Sequence, residues 1–453
     1  MSNEKEIEKL KQKREIINKI SPSFCSAKWL QTTLYLQNGY NHSCHHPAPH
    51  KIPVEEVEMN PAALHNSIYK KEQRRKMLKG ERPTECSYCW KIEDTEGNHF
   101  SDRHHKTADS WAWPRLNEVA QSVWQADITP SYLEVSFSNV CNFKCSYCSS
   151  EISSKWLDEI DQWGAYPTSE AEHNLDWLKS IGRYPYKNKE KNPYIEAFWK
   201  WFPDVLPNLK VFRITGGEPL LSKDTWRVLD YIIEQDPEPM QIAINTNLCV
   251  QDVFIDRIIE KFRILHEMGH DVQIFTSLES TGKKAEYSRF GLDYQQWCRN
   301  MHRVLSESDI VVAIMTTINA LSITDFTEFL RVVMYYRSEY NQDFAYNRIP
   351  ISVNELNWPP YLHISVLPDD LKQHLSQGIL EYAESWLKYF SEEKYARLYL
   401  EEWDQIQRLC KSLTETETQL KNRVNFQKYI QEYDKRRDTN FAQTFPELKD
   451  LLD

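Results

Sequence analysis

Tyr132-Leu-Glu-Val-Ser-Phe-Ser-Asn-Val-Cys141-Asn-Phe-Lys-Cys145-Ser-Tyr-Cys148 is the stretch on which the reading of this chain turns. Its opening, Tyr132 to Phe137, alternates apolar and polar residues and predicts a strand. The strand empties into a loop carrying Cys141, Cys145 and Cys148 in the spacing C-x3-C-x2-C. Three thiolates this close can hold three corners of a cubane iron–sulfur cluster; a fourth cysteine would close it, so one iron is left open to another ligand. Buried structural thiols and three legs of a zinc site are the competing readings. Zinc needs a fourth Cys or His nearby, and the flanks Ser138–Asn139 and Ser149–Ser150 offer none.

Downstream, Val211–Thr215 predicts a strand that ends at Gly216-Gly217-Glu218-Pro219. Ligands of parallel sheets sit at the C-terminal strand ends, so this loop and the cysteine loop are expected neighbours. The glycines allow close backbone approach to a ligand, and Glu218 can accept hydrogen bonds from an ammonium. The paired motifs, with the aromatic Tyr147 just before the last cysteine, resemble those of the radical S-adenosylmethionine (radical SAM) superfamily. That resemblance implies a 4Fe–4S cluster on Cys141, Cys145 and Cys148 whose open iron chelates SAM. It also implies Tyr147 near the adenine and Gly216, Gly217, Glu218 and Pro219 at the amino group of SAM. Reductive cleavage would then yield a 5′-deoxyadenosyl radical that removes hydrogen from a substrate.

A third stretch, Ser277-Leu-Glu279-Ser followed by Tyr287-Ser-Arg289-Phe-Gly291, is similar to one in SPASM-type members, with Glu279 where Asp is usual. By that likeness Ser277 contacts the SAM ribose or carboxylate and Arg289 the carboxylate, which a planar guanidinium suits. An ordinary surface salt bridge is the other reading of Arg289. Asn245 and Asn247, ending the intervening strand, are expected to face the same pocket. Cys249 is a spare thiol near it, either a hydrogen-atom donor or an inert buried cysteine. Cys298 and Cys410 fall in helical patterns and read as core.

Strands and helices alternate through this region. Helices are predicted at Trp226–Glu234, Phe254–Met268, Gln295–Leu305 and Asp325–Tyr340, the last capped by Thr324. Strands are predicted at Gln241–Thr246, Val272–Ser277, Ile310–Thr316 and Ile349–Val353. With the first two strands this makes six, read as near-continuously apolar and so doubly buried. The fold class is α/β: an open, partial (β/α)6 TIM-like barrel over residues 130–367, with an insertion at about 151–197 beside the active-site mouth. The radical SAM core has this fold.

Residues 21–129 precede the barrel. Cys25 and Cys44 are spaced C-x13-G-x4-C, and Cys86-Ser-Tyr-Cys89 follows a basic helical stretch, Ala62 to Lys79. Leu34-Tyr-Leu-Gln-Asn38-Gly39 predicts a hairpin turning on Asn-Gly. The spacing is similar to the opening half of SPASM and twitch auxiliary domains, which implies a second 4Fe–4S cluster on Cys25, Cys44, Cys86 and Cys89. In that family the domain usually follows the barrel, whereas here it precedes it. Zinc, unligated thiols, and an imidazole from His45 or His46 replacing a sulfur stay open. The basic run Lys70 to Lys76 reads as a solvated helix face. The tryptophan-rich 90–130 reads as a connector.

Residues 1–20 read as an exposed helix or arm. Beyond Pro368 the text is helical and charged, with helices expected at 371–387, 393–413 and 415–433, and no chemistry is legible there. The 453 residues carry a net charge of −11, which argues against sequence-independent nucleic-acid binding. No apolar run is long enough to span a bilayer, and ten cysteines without an export signal point to a reducing, cytoplasmic setting. The expected partners are a peptide or protein substrate and a reductant such as flavodoxin or ferredoxin. A small molecule, sugar or nucleotide is the alternative substrate. A non-catalytic zinc-stabilised binding module is the alternative class.

Overall fold

Alternation, rather than continuous apolarity, governs the central strands. The computed structural model describes residues 2–97, 99–171, 173–187, 190–342, 344–389 and 396–452. Its main sheet comprises β1 (Gln31–Tyr35), β2 (Tyr40–His42), β3 (His50–Lys51), β4 (Tyr132–Ser136), β5 (Val211–Thr215), β6 (Gln241–Thr246), β7 (Asp271–Ser277), β8 (Val311–Ile318) and β9 (Ile351–Glu355). The order across the sheet is β9-β8-β7-β6-β5-β4-β1-β2-β3. Strands β4 to β9 and β1 are parallel, while β2 and β3 pair antiparallel.

Register sorts the side chains into two faces. Leu34, Val135, Ile214, Ile244 and Ile274 form one row and are fully buried. Thr33, Glu134, Arg213, Ala243 and Gln273 form the next, on the opposite face, and Glu134, Arg213 and Gln273 stay half-exposed. Burying each aliphatic side chain contributes about 1.5–3 kcal/mol, so the first face fixes the side the helices take. The crossover helices are Pro193–Val205, Lys223–Gln235, Asp252–Glu267, Tyr294–Glu307 and Phe326–Tyr340. The reading of the strands as apolar on both faces is therefore corrected: one face is polar. Thr324 does not cap its helix; it lies inside a 3-10 turn, Ile323–Asp325, that leads into it.

The appended regions are built onto this sheet. The hairpin turns at Asn38-Gly39 as expected, but its first strand joins the sheet beside β4. A smaller core, with Phe24, Trp29, Trp90 and Trp111, packs against Tyr132 and Val211, the first residues of β4 and β5. The basic run is not a solvated face: Lys70, Gln73 and Arg74 are buried, because this side of helix Ile68–Leu78 packs inward. The insertion does not form a free excursion. Asn192 Nδ2 donates to Leu36 O at 2.8 Å, and Asn425 Nδ2 donates to Ser169 Oγ at 2.8 Å, tying it to the hairpin and to the C-terminal helix.

C-terminal helices run over Asp369–Tyr389, Leu400–Glu415 and Leu420–Arg437. The start expected at Glu393 lies outside the described residues. The second helix covers the open edge of β9, where the Glu402 carboxylate and the Gln405 side-chain amide oxygen accept from the N–H groups of Ile351 (3.0 Å) and Val353 (2.6 Å). Glu402 also holds the fully buried Arg337 through two hydrogen bonds. Removing one partner of such a pair leaves an uncompensated buried charge. Glu402→Ala should therefore cost about 3–5 kcal/mol, read as a lowered thermal midpoint.

Candidate active site

The cysteine loop leaves the C-terminal end of β4 with little regular structure of its own, yet its backbone is held throughout. Two of its residues, Lys144–Cys145, pair antiparallel with Arg289–Phe290. The Ser153 hydroxyl donates to Phe143 O (2.6 Å), Arg437 Nη1 to Lys144 O (3.2 Å), Trp156 Nε1 to Cys145 O (2.9 Å) and the Tyr429 hydroxyl to Ser146 O (2.8 Å). Helix Ser154–Trp163 thus supplies one donor and helix Leu420–Arg437 two. The C-terminal region in which no chemistry was legible anchors the loop.

Gly216-Gly217-Glu218 docks on the same loop. Glu218 N donates to Val140 O at 2.7 Å. A Cβ on Gly217 would lie 2.3 Å from Val140 O, and one on Gly216 2.9 Å from Ser138 O. Gly216 also has φ +128, outside the range of most side chains. The space these glycines leave is filled by the cysteine loop, so here their close approach is loop to loop. Gly291 does likewise from the other side, where a Cβ would meet Asn142 O at 2.8 Å.

The Glu218 side chain is buried, and its oxygens accept from Thr246 Oγ1 (2.7 Å), Asn247 N (2.7 Å) and Leu220 N (3.0 Å). Burial outweighs these donors and pushes its carboxyl up to about 7. Pro219 opens the turn that presents the Leu220 donor. Asn247 Nδ2 donates to Asn142 Oδ1 at 2.8 Å, which brings β6 onto the cysteine loop. Asn245 accepts from Arg213 Nη2 at 3.2 Å, on the polar face. Ser277 ends β7 on that same face, half-exposed.

Arg289 is neither a surface salt bridge nor an open carboxylate receptor. It pairs with buried Glu279 through Nε–Oε1 (3.1 Å) and Nη2–Oε2 (2.7 Å), and its Nη1 lies 3.8 Å from Cys145 Sγ. The Tyr147 hydroxyl donates to both Glu279 oxygens at 3.2 Å. Glu279, which stands where Asp is usual, thus organises two residues expected at the ligand. Cys249 is buried, its thiol donating to Gln296 Oε1 at 3.0 Å, so the inert reading fits its surroundings.

All ten cysteines are free thiols. Burial raises the thiols of Cys141, Cys145 and Cys148, the last to about 12, so a bound metal centre must displace their protons. Among the described residues, one group of three Cys, His or carboxylate ligand atoms lies within 4.8 Å of one another: His45, His46 and Asp102. Sulfurs around a tetrahedral zinc ion are about 3.8 Å apart, from Zn–S bonds of about 2.3 Å. Residues 135–333 match the family model of the Radical SAM superfamily.

The chain carries a radical SAM domain over residues 135–333. The matched segment runs from β4 through helix Phe326–Tyr340 and contains the cysteine loop, Gly216–Pro219 and the Glu279–Arg289 pair. No curated protein matches the chain. That domain supports an enzyme of SAM-dependent radical chemistry, and its family implies a 4Fe–4S cluster and SAM. Among the described residues, no helix is long and apolar enough to cross a membrane. A cavity of about 1090 Å³ opens at the N-terminal ends of β7 and β8, at the end of the strands opposite the cysteine loop.

Cys25, Cys44, Cys86 and Cys89 line a single pocket. Cys25 precedes the N-terminal end of β1, and Cys44 follows β2, whose last residue pairs with Thr33. Cys25 and Cys89 also belong to the small core beneath Tyr132 and Val211. This pocket therefore lies at the N-terminal end of the strands, and the radical SAM loop at the C-terminal end. The four residue steps of β4 alone separate the ends by about 13 Å.

The glycine contacts give a direct test. Gly217→Ala should displace the cysteine loop and cost most of the iron held there together with SAM cleavage. Gly378→Ala, in helix Asp369–Tyr389 with nothing within 4 Å of the added carbon, should leave both intact. Iron analysis of the two reconstituted variants checks this.

Proposed function

We propose that this enzyme cleaves SAM reductively at a 4Fe–4S cluster held by Cys141, Cys145 and Cys148, and directs the radical to a peptide or protein side chain. Strands β4 to β9 and their helices serve as an open (β/α)6 barrel whose polar face receives SAM and substrate. The observation that carries this reading is a loop of three free thiols, its carbonyls locked from three sides, at the ligand-binding end of the strands. The substrate class is supported by the likeness of the N-terminal cysteine spacing to auxiliary domains of enzymes that act on peptides.

When bound, the cluster and SAM supply the electron, the carbon–sulfur bond that breaks and the resulting 5′-deoxyadenosyl radical. This chain's residues position and shield them. Three hydrogen bonds keep Glu218 fixed, and its carboxylate has lone-pair capacity left for the ligand's amino group. Arg289, held by Glu279, places a cation beside Cys145. Tyr147 is fixed through its hydroxyl, which leaves its ring as a wall for a flat base. Four donors on the loop's carbonyls hold the thiols in place before ligand arrives. Cys25, Cys44, Cys86 and Cys89 hold a second, closed 4Fe–4S cluster, too far from the barrel mouth to ligate substrate.

Anaerobic reconstitution with iron and sulfide, followed by SAM and dithionite, should yield 5′-deoxyadenosine and about eight irons per chain. Cys145→Ala should abolish the product, whereas Cys86→Ala should retain some uncoupled cleavage. Cleavage unaffected by Cys145→Ala would overturn the assignment, and an iron count near four would remove the second cluster.

The Glu218 carboxyl gives a pH test. Its folded value, about 7, lies above the unfolded 4.5, so the stability it contributes is full below 4.5 and is lost as pH rises through 7. Ligand affinity should run the opposite way, weakening as pH falls through 7 and the carboxylate is protonated. Glu218→Gln should flatten both profiles, measured by thermal unfolding and by equilibrium SAM binding.

A further inference from the structure

We propose that Lys28 is the counter-charge of the metal centre on Cys25, Cys44, Cys86 and Cys89, with Lys70 as a second cation behind it. The inference rests on the reading that those four cysteines hold a metal centre. Lys28 lines the same pocket as all four and is 3% exposed. Its ammonium pairs with Glu85, the residue before Cys86.

The surrounding layer has few carboxylates: Asp102 lines the pocket together with Lys106, and it is paired with His46 at 2.7 Å. Its buried cations are Lys28, Lys70, Arg74 and Arg103. Arg103 takes Glu93 through two hydrogen bonds, 2.7 and 2.9 Å, and Lys28 takes Glu85. Lys70 meets neutral partners, Gln31 O at 3.0 Å and His65 Nδ1 at 2.9 Å. Arg74 bonds to Lys28 O (3.1 Å), Asn66 Oδ1 (2.8 Å) and Ala126 O (3.4 Å). Lys70 and Arg74 thus lie in the interior without a carboxylate partner, and burial holds both below their usual pKa, Lys70 well below, so a nearby anion would favour their charged forms.

Four neutral thiols supply no such anion. Four thiolates around a dipositive centre, whether a cubane or a zinc ion, carry two net negative charges and supply the anion that Lys70 and Arg74 lack. Placed at the N-terminal end of the strands, the centre then has an electrostatic role in this layer: the lysines stabilise it, and it offsets their burial.

The test uses the full chain with Cys141, Cys145 and Cys148 replaced by Ala, so that all bound metal belongs to the N-terminal site. After reconstitution, metal loss to a chelator is timed and, where the centre is redox-active, its midpoint potential is titrated. Lys28→Gln should speed metal loss at least tenfold and move the midpoint to more negative potential, while Lys28→Arg should keep both near the parent values. Glu85→Gln, which leaves the cation facing the thiolates without its carboxylate, should slow metal loss and move the midpoint the other way. A merely structural role would shift both substitutions in one direction. Equal release rates in Lys28→Gln and the parent overturn the proposal, as do like-signed effects of the two substitutions. A parent that binds no metal removes the underlying reading instead, and the inference with it; metal content distinguishes that failure from the others.

Discussion

Backbone approaching backbone with no side chain between is the constraint on which this structure depends. Three residues without a Cβ, Gly216, Gly217 and Gly291, let two neighbouring segments close on the cysteine loop from opposite sides. The loop that carries Cys141, Cys145 and Cys148 has no regular element beyond the two-residue pairing at Lys144–Cys145. It has to acquire rigidity from elsewhere. Side chains acting on its carbonyls supply it, because an unpaired buried carbonyl is costly and each one met by a fixed donor loses its freedom to turn.

Those donors explain the layout of the chain. A six-strand parallel sheet that does not close has two raw edges, each a template for unwanted pairing. The hairpin β1–β2 takes the edge of β4, and helix Leu400–Glu415 covers β9 with side-chain oxygens. The hairpin also reaches the C-terminal end of the sheet: Asn38, at its turn, donates to Glu151 at 2.7 Å, three residues past Cys148. On the other side it is the next helix, Leu420–Arg437, that brings Tyr429 and Arg437 onto the cysteine loop. Edge protection and loop rigidity are therefore met by the same hairpin on one side and by consecutive helices on the other, which ties the stability of the appended regions to the geometry of the thiols.

The sequence was legible where a local pattern carries the physics. Six strands fall within two residues of their periodicity, and the two cysteine sets and Gly216–Pro219 stand in the text. What could not be read depends on partners far along the chain. Lys70 and Arg74 look like a solvated basic run until the small core closes over one side of their helix. Arg289 looks free until Glu279, ten residues earlier, turns out to hold it. Tyr429 lies nearly three hundred residues from the carbonyl it serves, and nothing in its neighbourhood marks it. The strand faces were misjudged for another reason: the polar face alternates with large aliphatics, and the aliphatics dominate the eye.

Charge distinguishes the two ends of the sheet on the proposed reading. Around the cysteine loop the cations meet carboxylates: Arg289 pairs with Glu279, and Arg437 shares Glu159 with Lys144. A cluster on three thiolates that meets a sulfonium ligand brings little net charge to that end. The N-terminal pocket is the opposite case, with cations in excess and four thiols to deprotonate. A four-thiolate centre would be poorly matched to the first environment and a three-thiolate one to the second. The number of cysteines at each end and the number of unmatched cations beside them therefore agree, although the two were fixed by different parts of the sequence.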